Sequence, residues 1–185
     1  MKLYIEGKIL QSDCKAIAVV GSRNLSPRGE ALTKKFVKKF VKEGYTIISG
    51  LARGIDTVAH KTALAMGGRT IAVLGSGLDI IYPFENKALS EEIVKHGALV
   101  SPYSNGTKPL PKNFLARNRI IVELSCAVLV VEGKRRSGTL STASWAANSG
   151  IDVFAIPGSE ATDWLIEEGA NSVKSPKEVI DKLWI

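Results

Sequence analysis

Six short runs of β-branched and small apolar residues, at 17–20, 46–48, 70–74, 98–100, 127–131 and 152–156, recur along the chain with helical patterns between them. This alternation is read as a parallel sheet with helices on both faces, an α/β fold of the doubly wound kind. The first intervening segment shows the helical period best. Leu32, Phe36 and Phe40 fall at i, i+4 and i+8, Val37 and Val41 sit beside them, and Gly44 supplies a stop. Lys34, Lys35, Lys38, Lys39 and Lys42 occupy the opposite face, which reads as a solvated helix surface before it reads as a polyanion site. Further helices are expected over 56–66, 85–96, 114–124, 138–148 and from 176 onward. Residues 2–8 suit a short edge strand.

No Pro-, Ser- or Gly-rich linker divides the chain and no repeat interrupts it, so one domain is expected over 1–185. With 185 residues, 45% of them hydrophobic, the chain can bury a substantial core without staples. Cys14 and Cys126 are too few for a disulfide framework and lack partners at metal-ligand spacing, so no metal or cofactor is expected. The apolar runs are too short to span a bilayer, and Lys2, Glu6 and Lys8 break up the N-terminus; a cytoplasmic protein with no membrane partner is expected. The net charge of +7 is compatible with a polyanion, and its placement must decide.

That placement is informative. Gly21-Ser22-Arg23 follows the first run, Ser49-Gly50-Leu51-Ala52-Arg53-Gly54-Ile55-Asp56 the second, and Gly75-Ser76-Gly77 the third. Glu132-Gly133-Lys134-Arg135-Arg136-Ser137-Gly138-Thr139 follows the fifth. A parallel sheet gathers these loops at the carboxyl ends of its strands, where doubly wound folds bind ligands. Glycine admits close approach of backbone amides to an oxyanion, helix N-termini add a favourable dipole, and arginine adds charge with bidentate geometry. An anion-binding edge is expected, with phosphate as the anion. Neither GxxxxGK[ST] nor a clean GxGxxG with its later acidic residue is present.

Catalytic groupings are harder to find. His60 lies one turn after Asp56, but a structural role is expected for both, with Asp56 as a helix cap. Glu132 is the best isolated carboxylate on the ligand edge and is expected to pair with a neighbouring arginine. Arg117 and Arg119 diverge by about 200° on a helix, so one is expected to meet a ligand and the other a carboxylate or carbonyl. Phe114 could stack on a base, though a staple ahead of the helix is the favoured role.

Taken together, GSR (Gly21 to Arg23), SGLARGID with the later AH (Ser49 to His60), LGSGLD with the following YP and EN, F..RNRII..LS (Phe114 to Ser125), VVE....SGTL.TA (Val130 to Ala143) and VFAIPG resemble the Rossmann-like domain of the DNA-processing protein A family, also called DprA or Smf. The resemblance runs in order over roughly 15–173. It implies binding of single-stranded DNA without strong sequence preference, transfer to a RecA-type recombinase as in natural transformation, homodimers, and no catalysis. The DNA site it implies holds Arg23, Arg117 and Arg119. Around them stand Gly21, Ser22, Gly50, Arg53, Gly54, Asn118, Lys134, Arg135, Ser137, Gly138 and Thr139 as phosphate-contacting neighbours. The apolar end segment Val179, Ile180, Leu183, Trp184 and Ile185 fits either a dimer contact or docking on its own sheet. Family members usually carry small flanking domains, Pro102 stands where a Glu is common, and Ala161 to Trp164 replace a usual Gly and Asn. The competing class is a nucleotide sensor or a phosphoribohydrolase-like enzyme of the same broad fold. In such an enzyme Thr142 would stand where the catalytic Glu belongs, which removes the obvious acid or base.

Overall fold

The computed structural model describes residues 2–135 and 137–183. Its strands are β1 (Tyr4–Gly7), β2 (Ala16–Val20), β3 (Thr46–Ser49), β4 (Thr70–Val73), β5 (Ala98–Ser101), β6 (Ala127–Val130), β7 (Asp152–Ala155) and β8 (Asn171–Ser172). They form one sheet in the order β1-β5-β4-β3-β2-β6-β7-β8, antiparallel only where β1 pairs with β5. The six expected strands and the edge strand are all present. Helices are α1 (Pro27–Lys42), α2 (Ile55–Ala65), α3 (Lys87–His96), α4 (Pro111–Glu123), α5 (Gly138–Asn148), α6 (Glu160–Glu167) and α7 (Pro176–Lys182).

The strands are legible as apolar runs because both faces are covered. Ile17 and Val19 of β2 pack with Phe36, Val37 and Phe40 of α1, Ala59 and Ala63 of α2, and Val179 of α7. Ala18 and Val20 turn the other way, toward Ile120 and Ile121 of α4, Ala143 and Ala146 of α5, and Leu165 of α6. Alternate residues of one strand thus serve opposite helical layers, as a doubly wound sheet requires. In α1, Ser26 accepts the Gly29 N–H at 2.9 Å and Pro27 takes the first helical position, where its missing N–H costs nothing.

The helix expected over 114–124 begins at Pro111, again a first-turn proline, so Phe114 lies one turn inside it. The helix expected over 85–96 opens as a 3-10 turn, Phe84–Asn86, before α3. Helix α6 and strand β8 were not expected. Ser159 was the available signal for α6, since its side chain caps the helix by accepting the Thr162 N–H. At the C-terminus, Val179 and Leu183 are buried in the core beneath α1, with Ile180 packed against it, so they dock on their own domain. Trp184 and Ile185 lie outside the described residues.

Candidate nucleic-acid interface

Strands β2 and β6 are neighbours, yet the chain leaves β2 for a helix on one face and β6 for a helix on the other. The loops at their carboxyl ends therefore part and leave a crevice, the usual ligand position in this fold class. A cleft of about 680 Å³ lies there. Gly21, Ser22, Arg23 and Asn24 form one wall and Lys134, Ser137, Gly138 and Thr139 the other, with Tyr82, Phe114, Arg117 and Asn118 between them.

The walls are held by backbone bonds and one buried carboxylate. The Ser22 N–H donates to the Glu132 carbonyl at 2.9 Å, and the Ile55 N–H donates to the Ser22 carbonyl at 3.1 Å. Gly54, at φ +78°, lets the β3–α2 loop pass against this turn, because a Cβ there would overlap the Ser22 carbonyl. Glu132 is buried and, contrary to expectation, pairs with no arginine among the described residues. Its carboxylate accepts the Ser26 N–H at 2.9 Å and the Ser26 hydroxyl at 2.5 Å, which ties the β6 loop to the start of α1. A carboxylate near a helix N-terminus needs no cation to be satisfied.

Beneath the cleft, Arg117 is 3% exposed. Its Nη1 donates to the Gly50 carbonyl at 2.6 Å and also to the Val73 carbonyl, while Nε has no partner among the described residues. Burial pushes the guanidinium down to about 10, with nearby Asp56 opposing the shift and Arg23 adding to it, so it stays cationic at neutral pH. Asp56 accepts the N–H groups of Gly50 at 3.1 Å and Ala52 at 3.3 Å, and burial raises its pKa against the pull of Arg117. His60 does not pair with Asp56. Its Nδ1 lies 2.7 Å from the Thr70 hydroxyl, which itself donates to the Ile47 carbonyl at 2.8 Å. His60 must then donate from Nδ1, leaving Nε2 as a bare nitrogen with no partner among the described residues. Burial, helped by the Arg117 charge, pushes this imidazole down to about 3. Arg117 and Asp56 hold the loop ends in place, and His60 ties α2 to the start of β4, so the structural roles expected for Asp56 and His60 are met. The cap expected of Asp56 is not: Gly54 caps α2 without a side-chain bond, and Asp56 lies inside the helix and turns back to the loop amides before it.

The open part of the cleft combines aromatic faces with positive charge. Arg23 lies over the Phe114 ring at 5.3 Å from its centre, and Arg117 approaches the same ring at 5.8 Å. Tyr82 packs on Phe114 with ring centres 5.6 Å apart. Phe114 is thus a wall of the cleft, not a staple before a helix. Across from it, α5 begins at Gly138 after Ser137. The Asn118 side chain donates to the Gly138 carbonyl at 3.1 Å, and the buried Ser137 hydroxyl has no partner among the described residues. A helix N-terminus with an unpartnered hydroxyl, beside Lys134 and facing Arg23, is a cradle suited to an anion.

Of the residues expected at the site, the structure brings together Gly21, Ser22, Arg23, Arg117, Asn118, Lys134, Ser137, Gly138 and Thr139. Gly50, Arg53, Gly54, Arg119 and Arg135 do not line the cleft. The amide and carbonyl of Gly50 are taken by Asp56 and Arg117. Arg53 pairs with Glu85 on the rim. Arg119 pairs with Glu123 at 2.6 Å and lies over Trp145, so it is the arginine that meets a carboxylate. Arg135 lies over Trp164, and Arg136 lies outside the described residues. Asn24 and Tyr82 were missed; an aromatic residue in a loop at the ligand edge was the signal for the second. A separate hollow of about 760 Å³ beside α5 and α6, with Leu140, Ile151 and Trp164 in its walls, holds none of the expected site residues. Among the described residues no cluster of His, Cys, Asp and Glu could hold a metal ion, and no helix is long and apolar enough to cross a membrane.

Such a sheet, with a basic and aromatic-lined crevice at its switch point, defines a Rossmann-like α/β protein. More narrowly, the chain belongs to the family of DNA recombination-mediator protein A, whose model matches residues 1–184. Protein Smf of Escherichia coli is 46% identical over 188 residues, covering 98% of this chain and 50% of that protein. The structure of DNA processing protein A from Streptococcus pneumoniae matches with a TM-score of 0.90 at 43% identity, over 97% of this chain and 65% of that one. That of DNA processing protein A from Helicobacter pylori, described for its single-stranded DNA binding mode, matches with a TM-score of 0.89 at 30% identity, over 98% and 86%. The chain spans about half the length of curated relatives such as Protein Smf from Escherichia coli and Synechocystis.

Proposed function

We propose that the chain binds single-stranded DNA in the switch-point crevice, without strong sequence preference and without catalysing a reaction on it. One observation carries this reading: a single cleft joins a π-face, Phe114 with Tyr82 beside it, to an anion cradle made by Arg23, Lys134 and the first turn of α5. Bases of any identity stack on an aromatic face, and a cationic groove tracks the phosphates, so the pairing suits a strand of nucleotides better than a lone phosphate. The relative from Helicobacter pylori, described for single-stranded DNA binding, supports the same assignment.

In this reading Arg23, Lys134 and the Gly21–Ser22 and Ser137–Thr139 amides and hydroxyls face phosphate, Phe114 takes a base, and Arg117 with Asn118 holds the walls. Arg53, Arg119 and Arg135 contribute to the surrounding positive field. Transfer of the strand to a RecA-type recombinase, a homodimer as the working unit, a single-domain organisation and a cytoplasmic setting complete the proposal. Membership of a family described as DNA recombination mediators supports the first.

The deciding experiment titrates a labelled oligo-dT and a panel of free mononucleotides by fluorescence anisotropy over a range of salt. Affinity for the oligonucleotide should exceed that for any mononucleotide and fall with a log–log slope of about −0.7 per phosphate neutralised. Tighter binding of a mononucleotide, or a flat salt response, would transfer the crevice to a small-nucleotide sensor.

A further inference from the structure

Of the eight large hydrophobic side chains exposed among the described residues, Tyr82, Phe84, Leu110 and Leu115 lie in the segments that border the crevice. Phe84 is the most exposed of all, at 76%. It sits in the β4–α3 connection, two residues beyond Tyr82, whose ring rests on Phe114 in the cleft wall. The next residue, Glu85, pairs with Arg53, and the Tyr82 phenol lies beside the same guanidinium. From Tyr82 in the cleft wall a short run of cationic and aromatic groups, Arg53 and then Phe84, thus leads outward, continuous with the cleft through the contact between Tyr82 and Phe114.

We propose that Phe84, reached past Tyr82 at the crevice rim, forms a ledge that stacks bases of single-stranded DNA beyond the crevice, with Arg53 as its phosphate contact. The proposal rests on the reading of the crevice as a DNA site and extends the path of the strand. A large aromatic side chain left in water gains nothing from the fold, whereas a base offers it a π-face irrespective of sequence. The neighbouring cation favours a polyanion over a second apolar surface. Exposed ion pairs are weak, so a phosphate can replace the Glu85 carboxylate on Arg53 at little cost. A strand short enough to fill only the crevice never reaches the ledge.

The test compares a 20-nucleotide oligo-dT with a tetranucleotide on the full chain, using Phe84→Ala, Phe84→Leu, Phe84→Trp and Arg23→Ala. The long strand should bind about five- to tenfold more weakly to the Ala and Leu variants and no more weakly to the Trp variant. Tetranucleotide affinity should not change in any Phe84 variant. Arg23→Ala should weaken both strands. If Arg23→Ala weakens both strands while the Phe84 variants bind the long one normally, the ledge is wrong and the crevice reading stands. If Arg23→Ala changes neither, the crevice reading itself fails and the ledge with it. Equal loss for both lengths, or full activity of Phe84→Leu, would also overturn the ledge, as would a change in oligomeric mass on substituting Phe84, which would make the surface an interface between copies.

Discussion

Arg117 donates to the backbone carbonyl of Gly50 at 2.6 Å, joining positions 67 residues apart in sequence. The same nitrogen reaches the Val73 carbonyl, so one α4 side chain satisfies the carboxyl ends of β3 and β4, where the crevice begins. Gly50 has no side chain at the point where this guanidinium passes, and a Cβ there would overlap it. The arginine that sequence places among DNA ligands is therefore first a strut for the site.

Arg117→Ala should cost about 3 kcal/mol or more, because it leaves two carbonyls and the buried Asp56 without their cation. Gly50→Ala should also destabilise, by displacing the guanidinium. Once Arg117 is gone the added methyl has room, so the double variant should lose clearly less than the sum of the two single losses. Urea denaturation of the four proteins measures this; additive losses would show that the two residues act separately.

Arg23, Arg119 and Lys38 separate pocket charge from general charge. Arg23 is exposed, makes no ion pair among the described residues, and lies over Phe114 in the cleft. Arg119 is engaged with Glu123 on the outer face of α4. Arg23→Ala should weaken oligonucleotide binding about tenfold, the worth of one charge-assisted contact. Arg119→Ala and Lys38→Ala should each change it by less than about threefold, through long-range attraction alone. Thermal unfolding should place all three near the parent. Equal weakening in the three folded variants would point instead to a diffuse basic surface.

What sequence could show follows from how each residue is used. The strands were legible because covering both faces leaves apolar runs, and Gly21–Arg23 and Ser137–Thr139 were legible because turns after parallel strands gather at one edge. The divergence of Arg117 from Arg119 was also readable from helical geometry, and they do part, one to carbonyls and the other to Glu123. Which of the two lay inside was not readable, since it depends on β3 and β4 ending beside α4. The partner of Glu132 was misread for a similar reason. Arginines follow it in sequence, but the donors that reach it are on Ser26, 106 residues earlier.

The buried His60 predicts an acid-sensitive term in stability. In the fold its pKa is pushed down to about 3 from an ordinary value near 6.5, so the folded form stays neutral while the unfolded chain takes up a proton below pH 6.5. Stability contributed by the neutral imidazole is complete above pH 6.5 and is lost as pH falls toward 3. Between pH 7 and pH 5 the loss should be about 2 kcal/mol. The raised pKa of Asp56 acts with the opposite sign at the acid end of this range, so the informative quantity is the difference from a His60→Gln variant. Stability curves of the two proteins, measured by urea unfolding at each pH, should converge as pH falls from 7 to 5. Parallel curves would mean that His60 becomes charged in the folded protein.

Glu132 yields the last prediction, because a carboxylate on a ligand edge invites a catalytic role that its geometry does not support. Both of its oxygens are engaged, one by the Ser26 N–H and the other by the Ser26 hydroxyl, and the side chain is 8% exposed. It is absent from the cleft lining, whereas Ser137 and Thr139 of the same loop are present. Its work is to fasten the β6 loop to the start of α1, so that the two walls of the crevice keep their spacing. Glu132→Ala should leave two donors unsatisfied and open a void beside Gly29, at a cost of about 2 kcal/mol, or about 4–8 °C in Tm for a chain of this size. Glu132→Gln keeps one acceptor oxygen and the volume, and should recover about half of that loss. Its DNA affinity should stay close to that of the parent protein, since the walls are still joined. Calorimetry on the two variants together with oligonucleotide titration checks all three statements. A Gln variant that unfolds at the parent's temperature yet binds DNA at least tenfold more weakly would mean that the carboxylate acts on the ligand and that its bonds to Ser26 are incidental.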